Sequence, residues 1–409
     1  MKKTISRLIN KLIPLSLIAI ILISAQTGLK AEMSHLGCAS SVRVDENNQL
    51  VSNCNVCNPQ DSYTNNTTPN YNTASNDNNV NLNINSQTIP NTNLSTGFIN
   101  PLTGLSTLND VSRNRPMAVS ISNQRGALPT NAINGISQAD IVYELLVEAG
   151  ITRFIALYQD FSDVGVVGSI RSARHYTVEL AEAYDAIFIH AGGSPLGYEE
   201  IEKRNITNLD EVSGKRAQAF RRDPNRIPGQ TVQNYHSAVT SGSSVMQWLP
   251  TYGIRLTHFD NFKQFLSFTN NPIPSGNRAH NAVVRFSSGK DSTFTYNEAQ
   301  NLYYMNQFGS QLTDANNNNP VCFTNLLVLE MPITDLVGRG EGSGRQDMTS
   351  VGYGNGYFVS AGRYIEIFWF RIDKSAQFIY TDVYGNELEL GRGKTYVGII
   401  PPERTVSFS

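Results

Sequence analysis

Three groups able to hold a negative charge, Arg171, Arg174 and His175, fall within five positions of GSIRSARHY (168–176), and the TVELAEAY that follows reads as a helix. A helix start carries partial positive charge on its free N–H groups, so cations there call for an anion close by. That anion is either an internal carboxylate or a bound ligand. Internal partners are offered by Asp140, Glu144 and Glu148 in ADIVYELLVEAGITRFIALYQDF (139–161), where carboxylates sit in a stretch otherwise built for burial. A buried charge must be paired, which gives a structural ion network under the helix start. The other reading is an anion pocket built from Arg171, Arg174, His175, His190 and the turn Gly192-Gly193-Ser194, with Glu148 orienting an arginine. The two are compatible, and Arg153 belongs to the same basic set.

The same carboxylates could do acid–base work. A glutamate in an apolar pocket acquires the raised pKa that a general acid needs, so Glu144 or Glu148, assisted by His190, would suit hydrolysis of a polymer. Geometry discriminates: a hydrolase needs these carboxylates along an open cleft, whereas a binding or structural role allows them to be spent on arginines. A nucleophile elbow is excluded, because G-x-S-x-G counted from Gly192 needs glycine where Leu196 stands. His190, His236, His258 and His280 lack metal-ligand spacing, so neither a metal nor another cofactor is implied.

These side chains need elements to place them. RPMAVSISN (115–123) reads as an apolar strand, and 139–161 as a hairpin turning at Ala149-Gly150. Strand alternation then puts Glu144, Leu146 and Glu148 on one face, and a four-residue loop sets Glu148 opposite Arg153 as an ion pair. After the helix come DAIFIH (185–190), the turn AGGSP and a second helix, LGYEEIEKRN, with Ser194 as N-cap and Pro195 as first helical residue. Helix, strand, glycine turn, helix points to an α/β layer with some parallel strands, whose ligands collect at the strands' carboxyl ends. AFRRDPNRIPGQTVQNYHSAV (219–239), with Arg216 just before it, reads as a basic loop, either solvated or in contact with an anionic polymer. From about Arg278 the chain is β-rich, with strand-like AVVRFS, FTYNE, NLYYMN, TNLLVLEM, YFVSAGRYIEIFWFR, FIYTDVYGNELEL and TYVGII, and it reads as one sheet-based module. GRGEGSGR (338–345) matches a phosphate loop only in its glycines and reads as a plain loop.

The chain of 409 residues opens with Lys2, Lys3, Arg7 and Lys11 ahead of an apolar run from Leu12 to Ile23, with small residues at Ser24-Ala25 and Ala31. This is the pattern of a cleaved secretory signal, and its dozen apolar residues fall short of the roughly 20 that span a bilayer. Removal of residues 1–31 would leave 27 basic against 34 acidic residues, a net charge of −7 that disfavours general nucleic-acid binding. Residues 51–100 hold sixteen asparagines, two aspartates and no Lys or Arg, a tract too polar to offset its chain entropy and expected to act as a disordered tether. Cys54 and Cys57 form a C-x-x-C without a second pair, so a local disulfide with one thiol left over is expected rather than zinc. Cys38 lies too far beyond the apolar run to serve as a lipidation site, and Cys322 falls in a buried strand.

Taken in order, RPMAVSISN, ADIVYE, the end of EAGITR, IRSAR and HAGGSP resemble the N-terminal domain of the YerB-like envelope lipoproteins, a family described mainly as a domain of unknown function. FTNLLVLEM, VGYGNGYFVSAGRYIEIFWFR and FIYTDVYGNELELGRGKTYVGIIPP resemble its second domain, and the likeness runs from about 101 to 403. It implies an envelope location and a two-domain layout, and no reaction. The chain departs from the family in two places. Gln26, not the family's lipidated cysteine, follows Ser24-Ala25, which argues against membrane attachment; and the family's Pro-His-Asn triplet is here replaced by Asn234 and His236 in reversed order, so no role transfers to that histidine.

The expected fold is therefore of α+β or α/β class: a signal peptide (1–31), an Asn-rich disordered linker (32–99), an N-terminal mixed α/β domain (100–270) and a β-rich C-terminal domain (271–409). The expected function is that of an exported, extracytoplasmic protein, secreted or wall-associated, that binds an anionic wall component or an envelope protein without catalysis. Its ligand-binding set is Arg153, Arg171, Arg174, His175, Gly192, Gly193 and Ser194. The alternative is a wall-polymer hydrolase using Glu144, Glu148 and His190.

Overall fold

The computed structural model describes residues 97–409 apart from 215, 274 and 337–343, and the backbone of the short antiparallel pair Val42–Val44 and Leu50–Ser52. The signal segment, most of the asparagine tract, Cys38, Cys54 and Cys57, and most of the glycine-rich loop lie outside the described residues.

The described residues from 97 onward form one compact unit. Its N-terminal part contributes β1 (Met117–Asn123), β2 (Ile141–Leu146), β3 (Thr152–Tyr158), α1 (His175–Ala183), β4 (Ile187–His190), α2 (Pro195–Lys203), β5 (Asn208–Asp210) and α3 (Gly242–Tyr252). Its C-terminal part contributes β6 (Asn281–Ser287), β7 (Lys290–Asn297), β8 (Leu302–Gln307), β9 (Asn325–Glu330), β10 (Gly352–Ser360), β11 (Arg363–Arg371), β12 (Thr395–Ile400) and β13 (Val406–Phe408). Strand predominates over helix, and the α/β character is confined to β1, β4 and β5, which run parallel with α1 and α2 between them.

An eleven-stranded mixed sheet dominates the unit, in the order β5-β4-β1-β3-β2-β12-β9-β10-β11 followed by the short edge strand Asn277–Arg278, with Ile379–Asp382 also paired to β11. The boundary expected near residue 270 thus falls inside a unit whose central sheet draws strands from both sides of it. β2 meets β12 in parallel, with Ile141 opposite Thr395 and Leu145 opposite Ile399. A second, six-stranded sheet contains β8, β7, β6 and β13. The C-terminal strands therefore divide between two sheets and do not form the single module read from the sequence. Burial explains the division: β6 alternates, with Ala282, Val284 and Phe286 inside, whereas β12 is buried along its whole length and belongs between neighbours on both faces.

Strand alternation separates two apolar layers. Val119, Ile121, Val142, Phe154, Ala156 and Tyr396 face the six-stranded sheet and α3, while Ala118, Tyr143, Leu145, Ile155, Leu157 and Val397 face α1. At the tip of the β2–β3 hairpin Ala149 and Gly150 take left-handed φ of 59° and 69°, a conformation that glycine adopts without cost. The connection is longer than expected, because Leu146 pairs with Thr152. Leu145, not Glu148, is then opposite Arg153, and Glu148 sits in the turn itself.

Candidate functional site

α1 begins with cations because their carboxylates arrive from elsewhere in the chain. Arg174, its N-cap residue, reaches back to Glu148 in a bidentate pair, Nε to Oε1 at 2.6 Å and Nη2 to Oε2 at 2.8 Å. His175 Nε2 lies 2.8 Å from Oδ1 of Asp347, in the short strand Gln346–Met348. Burial works to raise the Glu148 carboxyl, but the hydrogen bonds and charge of Arg174 outweigh it and hold the group below its ordinary value. The ion pair expected between Glu148 and Arg153 is replaced by this one, a consequence of the hairpin register.

Among the described residues Arg153 and Arg171 have no carboxylate within salt-bridge distance. Arg153, 4% exposed, donates from Nη1 to the Ser172 carbonyl at 2.6 Å, and its buried Nε has no partner. Burial, followed by the charge of Arg174, pushes its pKa down to about 9, so it is still a cation near neutrality. Arg171 donates from Nη1 to the Tyr235 carbonyl at 2.7 Å. Burial and the nearby Arg174 also lower its pKa. Arg345 adds a further cation 3.6 Å from Glu148. Arg174 thus takes both oxygens of Glu148, and among the described residues no second carboxylate pairs with Arg153 or Arg171.

Arg171 also borders an open cleft of about 370 Å³ beyond the C-terminal ends of β4 and β5, the position where ligands gather in sheets with parallel strands. Gly192 and Gly193 form its floor, and Tyr198, Arg222 and Tyr235 contribute to its walls. The floor is fixed by Asp210 at the end of β5: Oδ1 accepts the N–H groups of Gly192 at 2.8 Å and Val212 at 3.0 Å, and Oδ2 accepts the Tyr198 hydroxyl at 2.9 Å. Burial and that bond push the Tyr198 pKa up to about 12, so the ring stays neutral. A Cβ at Gly193 would come within 3.2 Å of the Tyr198 ring, so a side chain there would press the ring outward. Ser194 caps α2 by accepting the Gly197 N–H at 3.1 Å, as its place before Pro195 predicts. Arg222 is largely spent: Nε and Nη2 hold Glu211 at 2.7 and 2.5 Å, and Nη1 donates to the Asn234 carbonyl at 2.8 Å.

Of the expected binding set, Arg171, Gly192 and Gly193 line the cleft. Arg153 lies behind its wall through Ser172, Ser194 is consumed as a cap, and Arg174 and His175 are engaged by Glu148 and Asp347. The expected catalytic set does not come together at an opening. Glu144 is 0% exposed and fully engaged inside the unit, with Oε1 held by Asn123 (2.9 Å), Thr152 (2.6 Å) and Lys290 (2.9 Å) and Oε2 by Ser292 (2.7 Å) and Tyr396 (2.8 Å). Its side chain points toward β7, away from the helix start. His190 ends β4 as predicted but is enclosed, donating from Nδ1 to the Gly192 carbonyl at 2.8 Å, and burial lowers its pKa. Asp140 is likewise turned inward, onto Asn100 and the Gln159 N–H. Among the described residues no group of three or more His, Cys, Asp or Glu is arranged to hold a metal ion.

Tyr198, Tyr235 and Asp210 belong to the site without being in the set expected from the sequence. Tyr198, four residues after the Ser194 cap, lies one helical turn above the glycine floor, which is the signal that could have found it. Tyr235 had none, being brought in by the loop that also supplies the carbonyl to Arg171.

Fold and site define a two-region, mostly β protein with an arginine-flanked cleft where its parallel strands end. Residues 102–247 match the family model described as Protein of unknown function (DUF3048) N-terminal domain, and residues 282–397 match that of its C-terminal domain. The chain belongs to this family, of which the YerB proteins are members. It is 28% identical over 312 residues to "Putative lipoprotein YerB" of Bacillus subtilis (strain 168), covering 76% of this chain and 88% of the relative. The crystal structure of the YerB protein from Bacillus subtilis matches with a TM-score of 0.64 at 27% identity, over 76% of this chain and 99% of that one.

Proposed function

We propose that this protein is an extracytoplasmic, non-catalytic module that captures an anionic group of a cell-wall polymer or envelope protein in the cleft beside Arg171. The observation that carries this reading is the imbalance of charge there. Among the described residues Arg153 and Arg171 have no carboxylate of their own, while Glu148 is already held by Arg174. An uncompensated guanidinium at a partly desolvated position gains more from an anion than one in water does. Export is supported by the basic, then apolar, start of the chain and by a relative whose name calls it a lipoprotein. Among the described residues no helix is long and apolar enough to cross a membrane. The hydrolase alternative lacks an acid at an opening, with Glu144 enclosed and Glu148 held ionised by Arg174.

The test is co-sedimentation of the purified protein with insoluble cell-wall material over a range of salt. Binding that weakens with salt, and about tenfold or more in Arg171→Ala, is expected from losing a charge-assisted hydrogen bond. Equal sedimentation of the parent and Arg171→Ala would remove the cleft from the account.

A further inference from the structure

We infer that the cleft takes an acidic saccharide: a single sugar unit whose carboxylate sits on Arg171 and whose ring lies against the tyrosine walls. This rests on the anion-binding reading above and adds the chemical class of what is bound. Three features narrow the class.

The first is the number and shape of the unspent donors. Arg171 uses Nη1 on the Tyr235 carbonyl, and among the described residues Nε and Nη2 have no hydrogen-bond partner. Those two N–H groups point the same way, the fork that matches the two oxygens of a carboxylate. Arg222, the other arginine of the cleft, is neutralised by Glu211. One free guanidinium suits a singly charged carboxylate better than a phosphate, which carries more charge and asks for more donors.

The second feature is the state of the main chain. Among the residues that line the cleft, the N–H groups of Arg171, Ala191 and Gly192 are bonded within the fold, to Ser120, Arg171 and Asp210 respectively, whereas those of Ser172 and Gly193 are left open among the described residues. An extended peptide is gripped mainly through a ladder of main-chain pairing, which two open N–H groups on separate segments do not provide. Recognition falls mainly to side chains.

The third is the walls. Tyr235 is 53% exposed and Tyr198 37% exposed, and both border the cleft. Open aromatic faces over a glycine floor offer the C–H face of a pyranose a flat apolar surface, while the hydroxyls at the ring's edge stay in water. The Arg171 guanidinium carbon lies 5.9 Å from the Tyr235 ring centre, so an acid group on the arginine brings its ring alongside the tyrosine. A volume of about 370 Å³ is at the small end of ligand sites, matching one sugar unit rather than a run of them. Asp210 is the positioning residue, tying the Tyr198 ring and the Gly192 turn together.

The experiment is calorimetric titration of the full-length protein with four probes: a disaccharide ending in glucuronate, the same disaccharide ending in glucose, acetate, and glycerol phosphate. The glucuronate disaccharide is expected to bind at least tenfold more tightly than the other three. Arg171→Lys, which keeps the charge but not the fork, is expected to lose about tenfold, as is Tyr235→Ala, while Tyr235→Phe retains binding. Acetate or glycerol phosphate binding as tightly as the sugar acid, with Tyr235→Ala indifferent, would overturn the saccharide class and leave the anion site standing. No binding of any probe, together with unchanged wall sedimentation of Arg171→Ala, would overturn both.

Discussion

At the scale of single residues, His236 reports on the electrostatics behind the cleft. It is enclosed, with a buried Nδ1 that has no partner. Burial first, then the charges of Arg171 and Arg226, push its pKa down to about 4, against about 6.5 for an unfolded histidine. Between those values the unfolded chain takes up a proton that the folded one refuses, so this residue makes stability fall as the pH drops from about 6.5 to about 4. His236→Phe removes the titrating group at similar volume. Its unfolding free energy, measured by denaturant titration at pH 7.5, 6 and 4.5, is expected to decline less steeply than the parent's. Parallel curves would mean that His236 titrates in the folded protein much as it does in the unfolded chain. His190, also lowered by burial, keeps its own part of the slope in both proteins.

At the scale of elements, Glu144 on β2 and Lys290 on β7 join the central sheet to the six-stranded one through an ion pair 2.9 Å long, with side chains 0% and 3% exposed. Removing one partner strands the other charge in the interior, a loss of about 3–5 kcal/mol. Glu144→Leu and Lys290→Met are each expected to lower stability by that order. The double variant is expected to lose clearly less than the two losses added together, because neither charge is then left alone. Denaturant titration of the parent, both single variants and the double variant checks this, and additive losses would show that the pair is not coupled. The same geometry accounts for the failure of Glu144 as an acid: strand alternation correctly put it opposite to Tyr143 and Leu145, but nothing local said that the face it chose would be covered by β7.

At the scale of the whole molecule, the two family regions share one sheet. β12, from the C-terminal region, lies between β2 and β9, so the N-terminal region alone would expose the inner edge of β2 and leave Glu144 without Lys290, Ser292 and Tyr396. Residues 97–270 expressed alone are expected to be aggregated or to lack a cooperative thermal transition, while residues 97–409 melt in a single transition. Circular dichroism with sedimentation velocity checks both. A soluble 97–270 fragment with its own sharp transition would show that the shared sheet is not needed for folding.

The sequence by itself determined what depends on neighbours in the chain. The apolar runs of 117–123, 141–158 and 395–400, the Ser194-Pro195 helix start, the Ala149-Gly150 turn and the glycine floor at 192–193 are all legible from propensity, capping and turn chemistry. The basic helix start also announced that anions had to come from somewhere. Which anions came was decided only by the tertiary structure. A one-residue difference in loop length took Glu148 from Arg153 to Arg174, a strand about 170 residues away brought Asp347 to His175, and a loop some 60 residues on brought the Tyr235 carbonyl to Arg171. Charges act through space over a few ångströms, and distance along the chain does not report on that. The carboxylates and arginines were therefore readable as a set, and their pairing, which leaves Arg171 at the cleft without a carboxylate among the described residues, became visible only once the strands were placed side by side.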